Sequence, residues 1–213
     1  MNIVPSKLRY FHDRGIKIRG VIHVGMSWGE EIADYLDMGA THVIGFEPTN
    51  DAFAEAVKLY GDDPRVKLQN YALGSAPDDY AVISVIVDKE PMVGHPVGTG
   101  GSTLLRELVI PEGTRERVMR FPQMTRVARF DSLGFNMEDY NALVIDVQGM
   151  ELEVLRGFGD LLKHIDCANI ECSRVPVYEG EASAGDVIMF MNEHGFRAVT
   201  PIEDHDDILF SRI

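Results

Sequence analysis

Cysteine and cationic side chains are both scarce in this sequence of 213 residues, which has two cysteines and 20 lysines and arginines against 34 aspartates and glutamates. The cationic deficit leaves a net charge of −14. Attraction to nucleic-acid phosphates or to an anionic lipid surface would work against that field, so neither nucleic acid nor a membrane is an expected partner. Cys167 and Cys172 lie in an apolar run that reads as a strand. Their side chains then face opposite sides, roughly 16 Å apart, too far for a disulfide. Two thiols also make no metal framework. Long hydrophobic runs are missing too: Ala81 to Val87 is far short of a bilayer span, and MNIVPSKLRYFHDRG lacks the apolar segment of a signal peptide. A cytoplasmic protein is expected.

What is present is ordinary globular composition, 45% hydrophobic and 25% charged, with enough length for one substantial core. No repeat or biased linker divides the chain, so residues 1–213 read as one domain. Short apolar runs, Gly20 to Val24, Thr41 to Phe46, Val66 to Asn70, Leu143 to Val147 and Ile165 to Glu171, alternate with segments of helical spacing. That alternation predicts an α/β fold with a mostly parallel sheet and crossover helices. Glu30 to Met38 and Asp51 to Tyr60 read as two of those helices, and Phe196 to Thr200 with Asp207 to Ser211 as a final hairpin. Between Ala81 and Val127 the rhythm breaks into a Gly- and Pro-rich stretch, which predicts a lid or substrate loop at about residues 88–104.

The densest chemical signal is VIHVGMSWGEEIADYL, a buried strand feeding a turn bracketed by Gly25 and Gly29. Glycines there would let a ligand approach the backbone. A dinucleotide fingerprint fails, because Ser27 and Glu30 stand where its second and third glycines belong. Glu30 and Glu31 also put negative charge in the first helical turn, which disfavours an anionic cofactor. A ligand with cationic groups and a ribose is tolerated, and S-adenosylmethionine fits that description. The next strand ends in Gly45-Phe46-Glu47-Pro48, which places Glu47 where a carboxylate accepts hydrogen bonds from ribose hydroxyls. The same turn spells G-x-S-x-G, so an α/β-hydrolase with Ser27 as nucleophile and Asp146 and His205 as partners is the rival, although few residues precede Ser27. A cofactor-binding domain without turnover is a third reading.

The run Leu143 to Val147 delivers Asp146 at its end, and Ile165 to Ile170 delivers Glu171, so both carboxylates should reach the crevice that holds Glu47. With those motifs in view, the chain from about Val21 to Phe196 resembles the FkbM family of S-adenosylmethionine-dependent methyltransferases. The resemblance rests on His23-Val24-Gly25 through Gly29, Glu31 to Tyr35, Gly45 to Pro48, Asn70-x-Ala72-Leu73-Gly74 and Gly100 to Leu104. It is strongest at Phe130 to Leu133, Ile145-Asp146-Val147-Gln148-Gly149-x-Glu151-x-x-Val154-Leu155-x-Gly157, Ile170-Glu171 and Tyr178. Relatives carry Asp at the place of His23, and Ala followed by Asn or His at Met26-Ser27.

The resemblance implies a Rossmann-like methyltransferase sheet of about seven strands and methyl transfer to a hydroxyl of a sugar or natural product. It puts His23, Gly25, Met26 and Gly29 beside the cofactor, with Glu47 and Pro48 at its ribose, Asn70 and Ala72 near its adenine, and Asp146 at its ammonium. Asp146 and Glu171 are the candidate bases and also the candidate ligands of a Mg²⁺. His95, the imidazole of the Gly-rich stretch, is a third catalytic candidate, and Ser102 and Thr103 would shape the acceptor side. Glu151, in the first turn of its helix, reads as a structural carboxylate. The expected partner is a small acceptor, a glycoside or polyhydroxylated metabolite; oligomeric state leaves no local pattern.

Overall fold

The computed structural model describes residues 4–88, 102–105, 118–201 and 205–213. In chain order its strands are β1 (Gly20–Val24), β2 (His42–Phe46), β3 (Val66–Gln69), β4 (Ala72–Leu73), β5 (Asp79–Asp88), β6 (Val118–Ala128), β7 (Ala142–Ile145), β8 (Cys167–Ser173), β9 (Phe196–Ala198) and β10 (His205–Arg212). Seven of them form one sheet in the order β3-β2-β1-β7-β8-β10-β9. Pairing is parallel from β3 to β8, and β10 runs antiparallel to both β8 and β9. The expected seven-stranded Rossmann-like sheet is therefore what forms.

Both faces of this sheet are covered, and the strands alternate their side chains between them. Helices α1 (Arg9–His12), α2 (Ile32–Asp37) and α3 (Asn50–Tyr60) bury Phe11, Ile32, Tyr35, Ala56 and Tyr60 against Val21, Val43, Val144 and Cys167. On the opposite face α4 (Glu151–Phe158) and α5 (Ala184–Glu193) bury Val154, Leu155, Phe158, Val187 and Met191 against Ile22, Ile44, Ile145 and Ile170. Phe130 stacks on Phe158 at 4.1 Å between ring centroids and meets the edge of Phe46 at 6.0 Å. That aromatic group fixes the end of β2 just before Glu47. Among the described residues no helix is long and apolar enough to cross a membrane.

The second sheet, in the order β4-β6-β5, is an addition to the sequence reading. β5 and β6 pair antiparallel from Asp79↔Val127 to Asp88↔Val118, making a long ribbon. Pro122 lies opposite Ser84 in a part of β6 for which β4, paired only through Val127 and Ala128, supplies no neighbour, so its missing N–H interrupts no ladder. Thr103 bridges back to Ser84 on the free side of β5.

Candidate functional site

Strand order reverses at β1, with β2 on one side and β7 on the other, and a crevice outside such a reversal is where open α/β sheets bind ligands. Glu47, the residue after β2, is buried there. Its Oε2 accepts the Ser27 N–H at 3.0 Å, and its Oε1 accepts the Thr49 N–H at 2.8 Å and the Thr49 hydroxyl at 2.5 Å. Thr49 stands just before α3 yet gives that helix no side-chain cap, because its hydroxyl goes to Glu47 instead. Three donors leave lone-pair capacity on the carboxylate. Burial pushes the Glu47 carboxyl up to about 7, against the pull of those three donors.

The neighbouring turn is tightly wound. Gly25 and Gly29 have φ of 82° and 80°, and Ser27 sits between them at φ 52°. Left-handed backbone at a serine is a strained conformation. It aims the Ser27 N–H at Glu47. Met26 sends its side chain into the core against Gly45, where an added Cβ would meet its sulfur at 2.0 Å. His23 is buried in β1, its Nδ1 3.0 Å from the Tyr35 hydroxyl, which donates to Glu31 Oε2 at 2.8 Å. Burial pulls the His23 imidazole down to about 4, so it is neutral near pH 7. Glu30 Oε2 is buried without a hydrogen-bond partner, and burial pushes that carboxyl up to about 7.

Around Glu47, Asn70 donates from Nδ2 to the carbonyl oxygens of Glu47 at 2.9 Å and Pro48 at 3.3 Å. Gln123 of β6 donates to the same Pro48 oxygen at 2.6 Å and accepts the Asn50 N–H at 3.1 Å. The ribbon thus reaches the start of α3. Ala72 is buried in β4 opposite Val127.

Across β1, Asp146 is exposed just past β7, and its N–H donates to the Val24 oxygen at 3.0 Å. Gln148, at φ 55°, joins it to Glu171: one amide Nε2 donates to Asp146 Oδ1 at 2.8 Å and to Glu171 Oε2 at 2.6 Å. Tyr178 donates its hydroxyl to Gln148 Oε1 at 2.8 Å, and Thr103 donates to the Gln148 carbonyl at 2.7 Å. Burial raises the Glu171 carboxyl well above the usual carboxylate range, with the Asp146 charge adding to it. Glu151, expected to be structural, ties the turn by accepting the N–H groups of Val147 at 3.3 Å and Gly149 at 3.0 Å, and burial lifts it to about 7.

The structure therefore gathers Glu47, the Gly25 to Gly29 turn, Asp146 and Glu171 at one sheet edge. His95, with Gly100 and Gly101, lies outside the described residues. Ser102 accepts the Ile86 N–H at 3.0 Å, and Thr103 borders a groove of about 390 Å³ between Ser84, Leu105, Arg120 and Phe121. Gln148 was read from the sequence only as part of a motif; its bridging role needed the fold, as did the orphaned oxygen of Glu30.

The Methyltransferase FkbM domain model matches residues 23–198 of the chain. The structure of Methyltransferase FkbM from Methylobacillus flagellatus is similar over 98% of this chain, with a TM-score of 0.54 and 15% identity. The chain spans 48% of that protein, about half its length. A protein of the NADB-Rossmann superfamily from Streptococcus agalactiae is similar over 100% of this chain and 70% of its own, with a TM-score of 0.52 and 12% identity. These likenesses show the fold. No curated protein matches the sequence.

Proposed function

The chain belongs to the FkbM methyltransferase family, and from that membership we propose that it is an S-adenosylmethionine-dependent O-methyltransferase acting on a small polar acceptor such as a sugar hydroxyl. The same membership favours this reading over the hydrolase alternative, and the G-x-S-x-G turn donates its Ser27 N–H to Glu47.

The observation that carries the cofactor assignment is Glu47, buried at the tip of β2 and aimed by Ser27 and Thr49 with acceptor capacity to spare. The remaining donor set fits the same group. Glu30 Oε2 is an orphaned acceptor beside the turn, and Glu31, Glu47 and Asp146 make the crevice suited to a sulfonium and an ammonium. In the proposal Glu47 holds the ribose hydroxyls, Asn70 and Pro48 shape the adenine side, and Asp146 faces the ammonium. When bound, S-adenosylmethionine supplies a methyl group made electrophilic by its sulfonium.

Glu171 is the proposed base. Only its ionised form can take the proton from an acceptor hydroxyl as that oxygen gains its new bond to carbon; because burial and Asp146 hold a proton on it, that form and the rate should grow as pH rises, and positioned bases contribute roughly 10²–10⁴ in rate. Mg²⁺ is not part of the proposal: the Gln148 amide donates to both Asp146 and Glu171, and among the described residues no three His, Cys, Asp or Glu side chains are placed to hold a metal ion. The net charge of −14 favours a neutral or cationic acceptor over a polyanion.

Calorimetric titration with S-adenosylhomocysteine tests the cofactor assignment. The wild type should bind, and Glu47→Ala should bind at least tenfold more weakly. Equal affinity in the variant removes the ribose assignment, and no binding by the wild type removes the cofactor.

A further inference from the structure

The ribbon of β5 and β6 carries an unusual share of exposed apolar side chains. Tyr80, Val82, Met119, Phe121 and Met124 are all exposed there, Val82 at 54%. Clustered apolar surface of this kind marks ligand grooves and interfaces rather than ordinary surface. Register puts Val82, Ser84, Pro122 and Met124 on one face, since Ser84 pairs with Pro122 and Val82 with Met124. β6 runs along one edge of β5, and Thr103 meets the other edge through main-chain hydrogen bonds with Ser84 at 2.9 and 3.2 Å. The groove of about 390 Å³ lies here, lined by Val82, Ser84, Leu104, Leu105 and Pro122 among others. Its volume falls in the lower part of the range for small-molecule sites, about 300–1,000 Å³.

Two observations fix what this groove can hold. Its polar capacity is low, because the Thr103 hydroxyl donates to the Gln148 carbonyl at 2.7 Å and accepts the Leu105 N–H at 3.0 Å. Among the described residues of the lining no carboxylate appears, and Arg120, its charged residue, already has a partner. The groove is also continuous with the carboxylate site. The same Gln148 that Thr103 holds by its carbonyl donates its amide to Asp146 and Glu171. Leu105 lines the groove and also sits against the Gln148-Gly149 turn: a Cβ built on Gly149 would lie 3.0 Å from Leu105 Cδ1 and 2.9 Å from Tyr178 Cδ2.

From this continuity we infer that the groove is the subsite for an apolar arm of the methyl acceptor, an alkyl or aryl substituent joined to the ring that bears the hydroxyl. The inference rests on the methyltransferase reading above and narrows it from polar acceptors at large to amphipathic ones. Their polar end faces Glu171, and their apolar end lies on the ribbon. Val82, Leu105 and Pro122 then select the arm by contact area, and Thr103 keeps the two subsites in register. Each methylene of the arm that leaves water should strengthen binding about fourfold until the groove is full.

The test uses the full chain saturated with S-adenosylhomocysteine and titrated at pH 7.5 with methyl, butyl and hexyl β-D-glucopyranoside. The hexyl glycoside should bind saturably and at least tenfold more tightly than the methyl one, with the butyl glycoside between them. Val82→Asp, which puts charge on the groove, and Ser84→Phe, which fills it, should each remove most of that gain while leaving the affinity for S-adenosylhomocysteine within about twofold. Circular dichroism identifies a variant that has failed to fold, and Val82→Asp, at an exposed position, carries the test if Ser84→Phe disturbs the pairing with Thr103. Equal affinity across the series, no saturable binding of any of the three, or a chain-length gain that the folded variants retain overturns the inference. So does a dimer in sedimentation that Val82→Asp dissociates, because the face then belongs to a second copy of the chain. Failure of S-adenosylhomocysteine to bind at the outset overturns the cofactor reading instead, so the two failures are distinct.

Discussion

Gly25 and Asp146 meet backbone to backbone: a Cβ built on Gly25 would lie 1.7 Å from the Asp146 carbonyl oxygen. The glycine that the sequence suggests as a place for a ligand to approach is first a place where β1 and β7 close on each other. Gly25→Ala cannot be relieved by a rotamer change, because the obstruction is main chain and φ is 82°. We expect it to destabilise the fold by about 3 kcal/mol or more. Gly39→Ala is the control, with φ 94° and open space around it, and should cost only about 1–2 kcal/mol. Urea unfolding of both variants gives the comparison, and equal losses would mean that the contact with Asp146 is soft.

Stability should fall as pH rises. Burial lifts the folded-state carboxyls of Glu30, Glu47 and Glu151 from about 4.5 to about 7. Between those values the native state holds more protons than the unfolded chain, so this contribution is complete below pH 4.5 and lost as pH passes 7. His23, pulled down from 6.5 to about 4, acts in the opposite sense and loses its contribution as pH falls through that interval. Three groups outweigh one. The urea midpoint should therefore decline from pH 5.5 to pH 8, and S-adenosylhomocysteine should restore more stability at pH 8 than at pH 6 by binding the ionised crevice. A flat profile would show that these carboxylates stay hydrated.

Glu171→Gln removes the proposed base while keeping the shape of the side chain. It should lower kcat by roughly 10²–10³ and leave the KM for S-adenosylmethionine within about twofold. Gln148→Leu removes the amide that donates to both Asp146 and Glu171, leaving their direct side-chain hydrogen bond, and removes the Tyr178 acceptor. Because Gln148 acts through the carboxylates, its loss should also move the alkaline or acid limb of the kcat profile. An unshifted profile with reduced kcat would assign Gln148 to packing alone.

Legibility in the sequence followed burial. β1, β2, β7 and β8 are nearly continuous apolar runs because both faces of the central sheet are covered, and their ends announced Glu47, Asp146 and Glu171. β6 was hidden because its solvent-facing residues, such as Met119, Phe121 and Met124, break the expected alternation and Pro122 argues against a strand. Thr49 looks like a helix cap and serves Glu47 instead. The Gln148 and Tyr178 pair lies 30 positions apart, and no local pattern encodes a contact made by the fold.

The two cysteines offer a probe of both faces of the sheet. Cys167 packs with Val144 and Leu209 on one face, Cys172 with Ile170 and Ile208 on the other, and both thiols are free. Burial raises the Cys167 thiol to about 12 and the Cys172 thiol further. A thiol-disulfide reagent attacks only thiolate, so at pH 7.5 each native thiol should react at least about 10³-fold more slowly than an exposed cysteine. In denaturant both should titrate at once. Because the two side chains lie on opposite faces, a mild oxidant should not join them in the native protein. Rapid labelling of Cys167 alone would mean that the face carrying α1 and α2 opens. Rapid labelling of Cys172 alone would place the opening under α5. Protection of both fixes the sheet as the rigid frame on which the crevice is built.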